Sequence, residues 1–317
     1  NYCAPVNVIQ FNASVSSYDS DMGGATDLGI DSVDAWTNNV GAAEGIHGNS
    51  FFVGANGDNN DQLCTPKPVG SLSSVHGTCP DAPRLEGTYH IAGLANYART
   101  NSIRTDLMGE QTVRTYGVTL APAIPRVIVP VPGSADRTIT ILPACRNNIQ
   151  TTRTNCAIVD FKIVEQEFNV NIDGVPTNTG KLYVNWEDSE QGGDFDQDMW
   201  GVISYEVTST NVSVTTQVIA QSTGDPMGFG YVIGGTTTDG FHVHSGVNNF
   251  TYTSAYAEYP GCGTTDGTYC TCRVGNGYDG TAGACNHSHS HAQARTQVYT
   301  VGTSAAALLE APLYYAA

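Results

Sequence analysis

With 30 acidic and 13 basic side chains in 317 residues, the chain carries a net charge of −17. That balance works against binding to nucleic acid or an anionic membrane surface, and it is compatible with cation binding. No apolar run approaches the roughly 20 residues that span a bilayer as a helix, and the length leaves room for two or three domains with cores of their own.

In chain order, the sequence opens Asn1-Tyr2-Cys3 without Met and reads as a mature or excised segment. Residues 6–11 (VNVIQF) predict a short buried strand. Residues 54–61 (GANGDNND) fit an ordinary polar turn or a second cation loop. Residues 85–100 are the best helix candidate, with Ile91, Leu94, Ala95 and Ala98 at helical spacing. Residues 111–120 (QTVRTYGVTL) read as a strand, so this part carries an α/β signature. Pro122, Pro125, Pro130 and Pro132 punctuate the next stretch. A boundary there divides an α/β region, 1–124, from a β-rich domain, 125–317. Strands are expected at 126–131, 138–142, 157–168, 180–186, 201–207, 212–220, 228–234, 241–244, 250–257 and 296–301. Short spacing between turns points to an antiparallel sandwich. Residues 261–291 read as a glycine-rich, disulfide-tied loop, and 304–317 as a short helix or hook.

Nine cysteines in Gly/Thr/Asn-rich surroundings favour an oxidising compartment. Cys64 with Cys79 and Cys145 with Cys156 are possible pairs. Cys262, Cys270, Cys272 and Cys285 could supply two more bonds, with Cys3 left over. Spacing alone leaves the connectivity open.

The strongest chemical signal lies in residues 181–207. Alternating runs at 182–187 and 202–207 predict two strands, and between them lie Glu187, Asp188, Glu190, Asp194, Asp196 and Asp198, with Gly192 and Gly193. Carboxylates so crowded repel unless a cation sits among them. Glu187, Asp188, Asp194, Asp196 and Asp198 are therefore candidate calcium ligands. Met199 stands where an EF-hand loop needs Gly and the closing Glu is missing. A solvated acidic turn is the competing reading. His242 and His244 alternate along an expected strand and would share a face. His287, His289 and His291 would do the same if extended. Such spacing suits zinc, copper or nickel, against the plainer reading of a polar face and a glycine-rich loop. Nothing supports nucleophilic catalysis: there is no G-x-S-x-G. Asp188, Glu190 and Asp194 are a poor match for a glycosidase acid pair without a groove.

Four stretches resemble, in order, the PilC/PilY family of large adhesins associated with type IV pili. They are LEGTYHIAGLANYARTNSIRTDLMGEQTVRTYGVTL, EDSEQGGDFDQDMWGVISYEV, GFGYVIGGTTTDGFHV and TVGTSAAALLEAPLYYAA. The resemblance runs from about residue 85 to 317 and implies the end of a von Willebrand A-like domain followed by the region before a C-terminal propeller. The family's DxSxS metal motif is absent, and no carboxylate stands near Asn12 or Ser14, so that metal site does not carry over. The expected fold is α+β, mostly β: a partial von Willebrand A-like α/β segment, then a β-sandwich-like antiparallel domain. The resemblance implies a non-enzymatic protein at the cell surface or pilus tip that assists surface attachment and pilus assembly, and the carboxylates of the acidic turn add the expectation of calcium stabilisation. Its expected partners are pilus subunits, other parts of a precursor or copies of itself, and a surface or host ligand. A structural subunit of an extracellular fibre and a secreted transition-metal binder are the alternatives.

Overall fold

The computed structural model describes residues 6–12, 29–57, 59–79, 86–119, 126–147, 156–188, 198–223, 225, 227–247, 294–302 and 306–317. The chain is mostly β and divides into two compact units. One comprises Asn1–Pro122 with Ala307–Ala317, the other Ala123–Ala306.

In the first unit, β1 (Val6–Asn12) lies parallel to β5 (Val113–Thr119). The expected buried strand is instead exposed: Ile9 is 61% and Phe11 77% accessible. Among the described residues β1 pairs only with β5, and nothing covers its outer face, which leaves Ile9 beside Tyr116 and Phe11 beside Val118. Two helices, α1 (Val33–Ala43) and α2 (His90–Thr100), pack together. The hydroxyl of Ser32 caps α1 by accepting from Ala35 N at 3.2 Å. The helices touch at Gly93, where an added Cβ would lie 2.7 Å from Thr37 N and 2.8 Å from Val33 O. Trp36 meets Tyr97 edge-on at 5.3 Å, and Asp34 accepts from or pairs with His90 Nε2 at 2.9 Å. Helix α2 starts five residues later than residues 85–100 suggested. Glu86 is held at φ 54°, outside the helical range, and Gly87 O accepts from Gly77 N at 2.9 Å instead of from a helical partner, so the helix does not start before Tyr89.

A hairpin of β2 (Ser50–Asn56) and β3 (Asn59–Pro68) turns at Gly57, with β4 (Val75–His76) on the other edge of β2. The polar segment 54–61 is thus the end of a hairpin. Cys64 and Cys79 form a disulfide. The C-terminal segment corrects an expectation. β15 (Ala307–Leu308) pairs in parallel with β2, and α3 (Pro312–Ala316) follows it. Leu309 joins Ile46, Val53, Val69, Leu72, Val75 and Tyr89 in the core of this unit. Residues 307–317 therefore belong with the N-terminal part and not with the β-rich domain.

The second unit is two antiparallel sheets. One runs in the order β14-β11-β10-β9-β8: Arg295–Thr300, Asn211–Gln221, Met199–Val207, Val175–Glu187 and Ala157–Ile172. The other runs β13-β12-β7-β6: Gly240–Gly246, Met227–Gly234, Thr138–Asn147 and Val127–Pro130. The period-two pattern explains the core. Leu182, Val184 and Trp186 of β9 and Ile203, Tyr205 and Val207 of β10 all point inward and are buried. Trp186 meets Phe229 from the opposite sheet at 4.5 Å, with the two rings tilted by 39°. A Cβ on Gly201 would lie 2.7 Å from Phe229 Cζ and 2.9 Å from Trp186 Cζ3, so this position must be glycine for the two rings to meet. The Cys145–Cys156 disulfide ties β7 to the start of β8. The expected strand at 250–257 and the loop at 261–291, with Cys262, Cys270, Cys272 and Cys285, lie outside the described residues. No helix among the described residues is long and apolar enough to cross a membrane.

Candidate functional site

The acidic turn sits where β9 passes to β10. Trp186 pairs with Met199 at the end of the ladder, and Asp198 N donates to Trp186 O at 3.0 Å. Asp188 N then donates to Asp198 Oδ2 at 2.8 Å, closing the base of the turn. Glu187 and Asp198 are buried at this base, while Asp188 is half-buried. Asp194 and Asp196, two of the expected calcium ligands, lie outside the described residues.

Four residues that sequence reasoning missed complete the arrangement. Thr223, from the connection between β11 and β12, donates through Oγ1 to Asp188 Oδ2 at 2.6 Å. Ser222 N and Thr223 N donate to Asp198 O at 2.8 and 3.4 Å. Asp225 N donates to Thr223 Oγ1 at 2.9 Å. Asn147, the last residue of β7, donates through Nδ2 to Asp188 O at 3.0 Å and to Asp225 Oδ2 at 3.5 Å. The turn 222–225 (STGD) carries a sequence signal, since Ser, Thr and Asp before a strand favour such side-chain bonds to backbone. Asn147 carries none; only the sheet order brings it here.

The electrostatics follow from this packing. Burial raises the Asp225 carboxyl above the ordinary carboxylate range, and the neighbouring Asp188 charge raises it further. The amide of Asn147 and the hydroxyl of Thr223 point their hydrogens at Asp188 and Asp225, so these groups satisfy the carboxylates and the turn backbone. Among the described residues no group of three or more His, Cys, Asp or Glu side chains is arranged to hold a metal ion.

Of the expected histidines, the described residues include the side chain of His242 alone. The register between β12 and β13 shifts by one residue beside Gly230. His242 is 2% exposed, stacks against Tyr231 and meets Tyr299 edge-on at 4.7 Å. Its Nε2 faces Thr238 O at 2.8 Å and must carry a proton to bond there. Burial lowers its pKa to about 4, so it is a neutral core residue at pH 7. Tyr231 and Tyr299 share a 2.6 Å hydroxyl bond beside it. The side chain of His244, and His287, His289 and His291, lie outside the described residues.

Residues 129–294, more than half of the chain, match the description "PilY1 homolog, beta-sandwich". The chain belongs to the PilY1 homolog family. Residues 1–98 match a further family description, "PilY1 homolog, second domain". The chain is also 32% identical over 227 residues to a protein of Xylella fastidiosa (strain Temecula1 / ATCC 700964) named "Type IV pilus biogenesis factor PilY1 homolog". That alignment covers 67% of this chain and 15% of the Xylella protein, so the chain spans a small part of its relative. No solved structure matches it.

Proposed function

We propose that this chain is a non-catalytic segment of an extracellular, pilus-associated factor that supports type IV pilus biogenesis and attachment to surfaces. The observation that carries the reading is the family match across the β-sandwich, joined to the 32% identity with a relative named as a pilus biogenesis factor. Two disulfides favour an envelope or extracellular location, with the pilus tip as the expected place. In this role the sandwich is a stiff scaffold. Calcium held by the expected ligands Glu187, Asp188, Asp194, Asp196 and Asp198 would also lie near Asp225, whose carboxyl is raised first by burial and then by the Asp188 charge. The test is in-frame removal of the encoding segment from a piliated bacterium, counting surface pili and measuring attachment to glass and to cells. Normal pili and normal attachment would refute the reading.

A second reading, a subunit docking into a larger extracellular assembly, is favoured by one observation. The outer face of the β1–β5 pair exposes Ile9, Phe11, Tyr116 and Val118. Parallel strands are ordinarily covered on both faces. A sedimentation coefficient that rises with concentration would support docking between copies, and one that stays constant up to high concentration would remove it.

A further inference from the structure

Among the described residues the sandwich buries Asn147, Asn178 and Asn185, and the first two are engaged. Asn147 Nδ2 donates to Asp188 O at 3.0 Å. Asn178 Nδ2 donates to Pro130 O at 2.6 Å, and its Oδ1 accepts from Asn169 N at 2.7 Å. Asn185 is the exception. It is 5% exposed, and its Oδ1 has no hydrogen-bond partner. An amide oxygen withdrawn from water without a bond is costly, and natural folds keep few of them.

The strand pattern fixes where Asn185 lies. Its neighbours Val184 and Trp186 enter the core, so Asn185 stands on the outer face of β9. Tyr183, two residues back, shares that face. Across the ladder Asn185 is paired with Trp200 on β10 and with Asp160 on β8, and Tyr183 is paired with Lys162. Gly201 turns to the core, which puts Trp200 outward. Tyr183 and Trp200 meet edge-on at 5.7 Å with ring planes 84° apart, and both are half-buried. The short Asn185 side chain therefore sits low beside a corner formed by two larger rings. Glu187, next along the face, is fully buried at the base of the acidic turn.

Two features name the ligand. β9 and β10 are inner strands, hydrogen-bonded on both sides, so neither offers an open edge to an added peptide strand and recognition falls to side chains. Those side chains present aromatic surface, an amide with both donor and acceptor, and one charge of each sign in Asp160 and Lys162, a set that favours a neutral polar ring over an ion. We propose that this corner binds a neutral pyranose, a hexose or N-acetylhexosamine unit of a glycan. The C–H face of the ring lies on aromatic surface, adjacent hydroxyls exchange bonds with the Asn185 amide, and the Asp160 carboxylate accepts from a further hydroxyl. The site is separate from the cation reading of the acidic turn and from the attachment reading, which a negative titration leaves untouched.

The test is saturation-transfer NMR on the whole chain with methyl α-glucopyranoside, methyl α-galactopyranoside and N-acetylglucosamine, with glycerol as a control that has hydroxyls but no ring. At least one pyranose should bind with a dissociation constant of about 1 mM, the scale for so small a ligand, and glycerol should not. Trp200→Leu should weaken that binding about tenfold or more. Asn185→Val should abolish it and, by removing the unpaired amide, raise the melting temperature in sugar-free buffer by about 2–4 °C. Val298→Ser, at an exposed position on β14, should leave binding unchanged. No binding of any pyranose at tens of millimolar, or an equal signal from glycerol, would overturn the proposal. So would undiminished binding in Trp200→Leu and Asn185→Val, or a lower melting temperature in Asn185→Val, which would make the amide a structural group.

Discussion

His242 is one residue through which pH acts on the sandwich. Its folded pKa, about 4, lies below the unfolded value near 6.5, so the unfolded chain binds the proton more readily. Its contribution to stability is complete above pH 6.5 and is lost as pH falls toward 4, with an order of magnitude of about 3 kcal/mol. Urea melts between pH 8 and pH 4 should show this loss, and His242→Phe should flatten that part of the profile; an unchanged slope in the variant would assign it elsewhere. Asp225 has the opposite sign. An acid whose pKa is raised on folding is penalised at neutral pH, and the penalty disappears as pH falls. Asp225→Asn should therefore raise the melting temperature at pH 7 in chelator. In calcium the gain should vanish or reverse if the turn binds the ion, because a ligand that binds only the folded state stabilises it. Gly201 makes a packing prediction. Gly201→Ala places a methyl against Phe229 and Trp186 and should cost about 1–3 kcal/mol, read in the same urea melts.

At the scale of elements, legibility tracks how strongly each segment constrains itself. β9 and β10 are readable because Leu182, Val184, Trp186, Ile203, Tyr205 and Val207 alternate without interruption and all enter one core. The β2–β3 hairpin is hidden because Pro66, Lys67 and Pro68 break the usual strand composition, and the buried Lys67 is accommodated by Val53 O at 2.7 Å and Thr65 Oγ1 at 2.8 Å. Helix α1 carries signals that are easily passed over: Ser32 at the cap, Asp34 in the first turn, and Trp36, Val40 and Gly41 at helical spacing. The apolar run of β1 suggests burial, but burial depends on what lies opposite a strand, and composition does not encode that. The candidate site is half legible. The carboxylates of the β9–β10 turn stand together in sequence, whereas Asn147, Thr223 and Asp225 reach them only through sheet order. Phe11→Asp should change thermal stability by less than about 0.5 kcal/mol, as for an exposed position, while reducing binding of an apolar dye. A large destabilisation would mean that the face is covered in solution.

At the scale of the whole chain, the first unit is assembled from two distant stretches, 1–122 and 307–317. Ending the chain at residue 306 removes Leu309 and Leu313 from that unit and leaves the sandwich intact. Hydrogen exchange should then accelerate at the amides of β2 and stay slow in β10, whereas equal acceleration in both would contradict the division.

That division also sets an order of events. A chain is made and exported from one end, and domains generally fold as units as they emerge. Ala123–Ala306 can complete its two sheets as soon as it has emerged, but the unit begun earlier must wait for its closing residues. The first part to appear is therefore the last to finish. Until Ala307–Leu308 settles beside β2, its unfinished core is open to chaperones, proteases and premature partners.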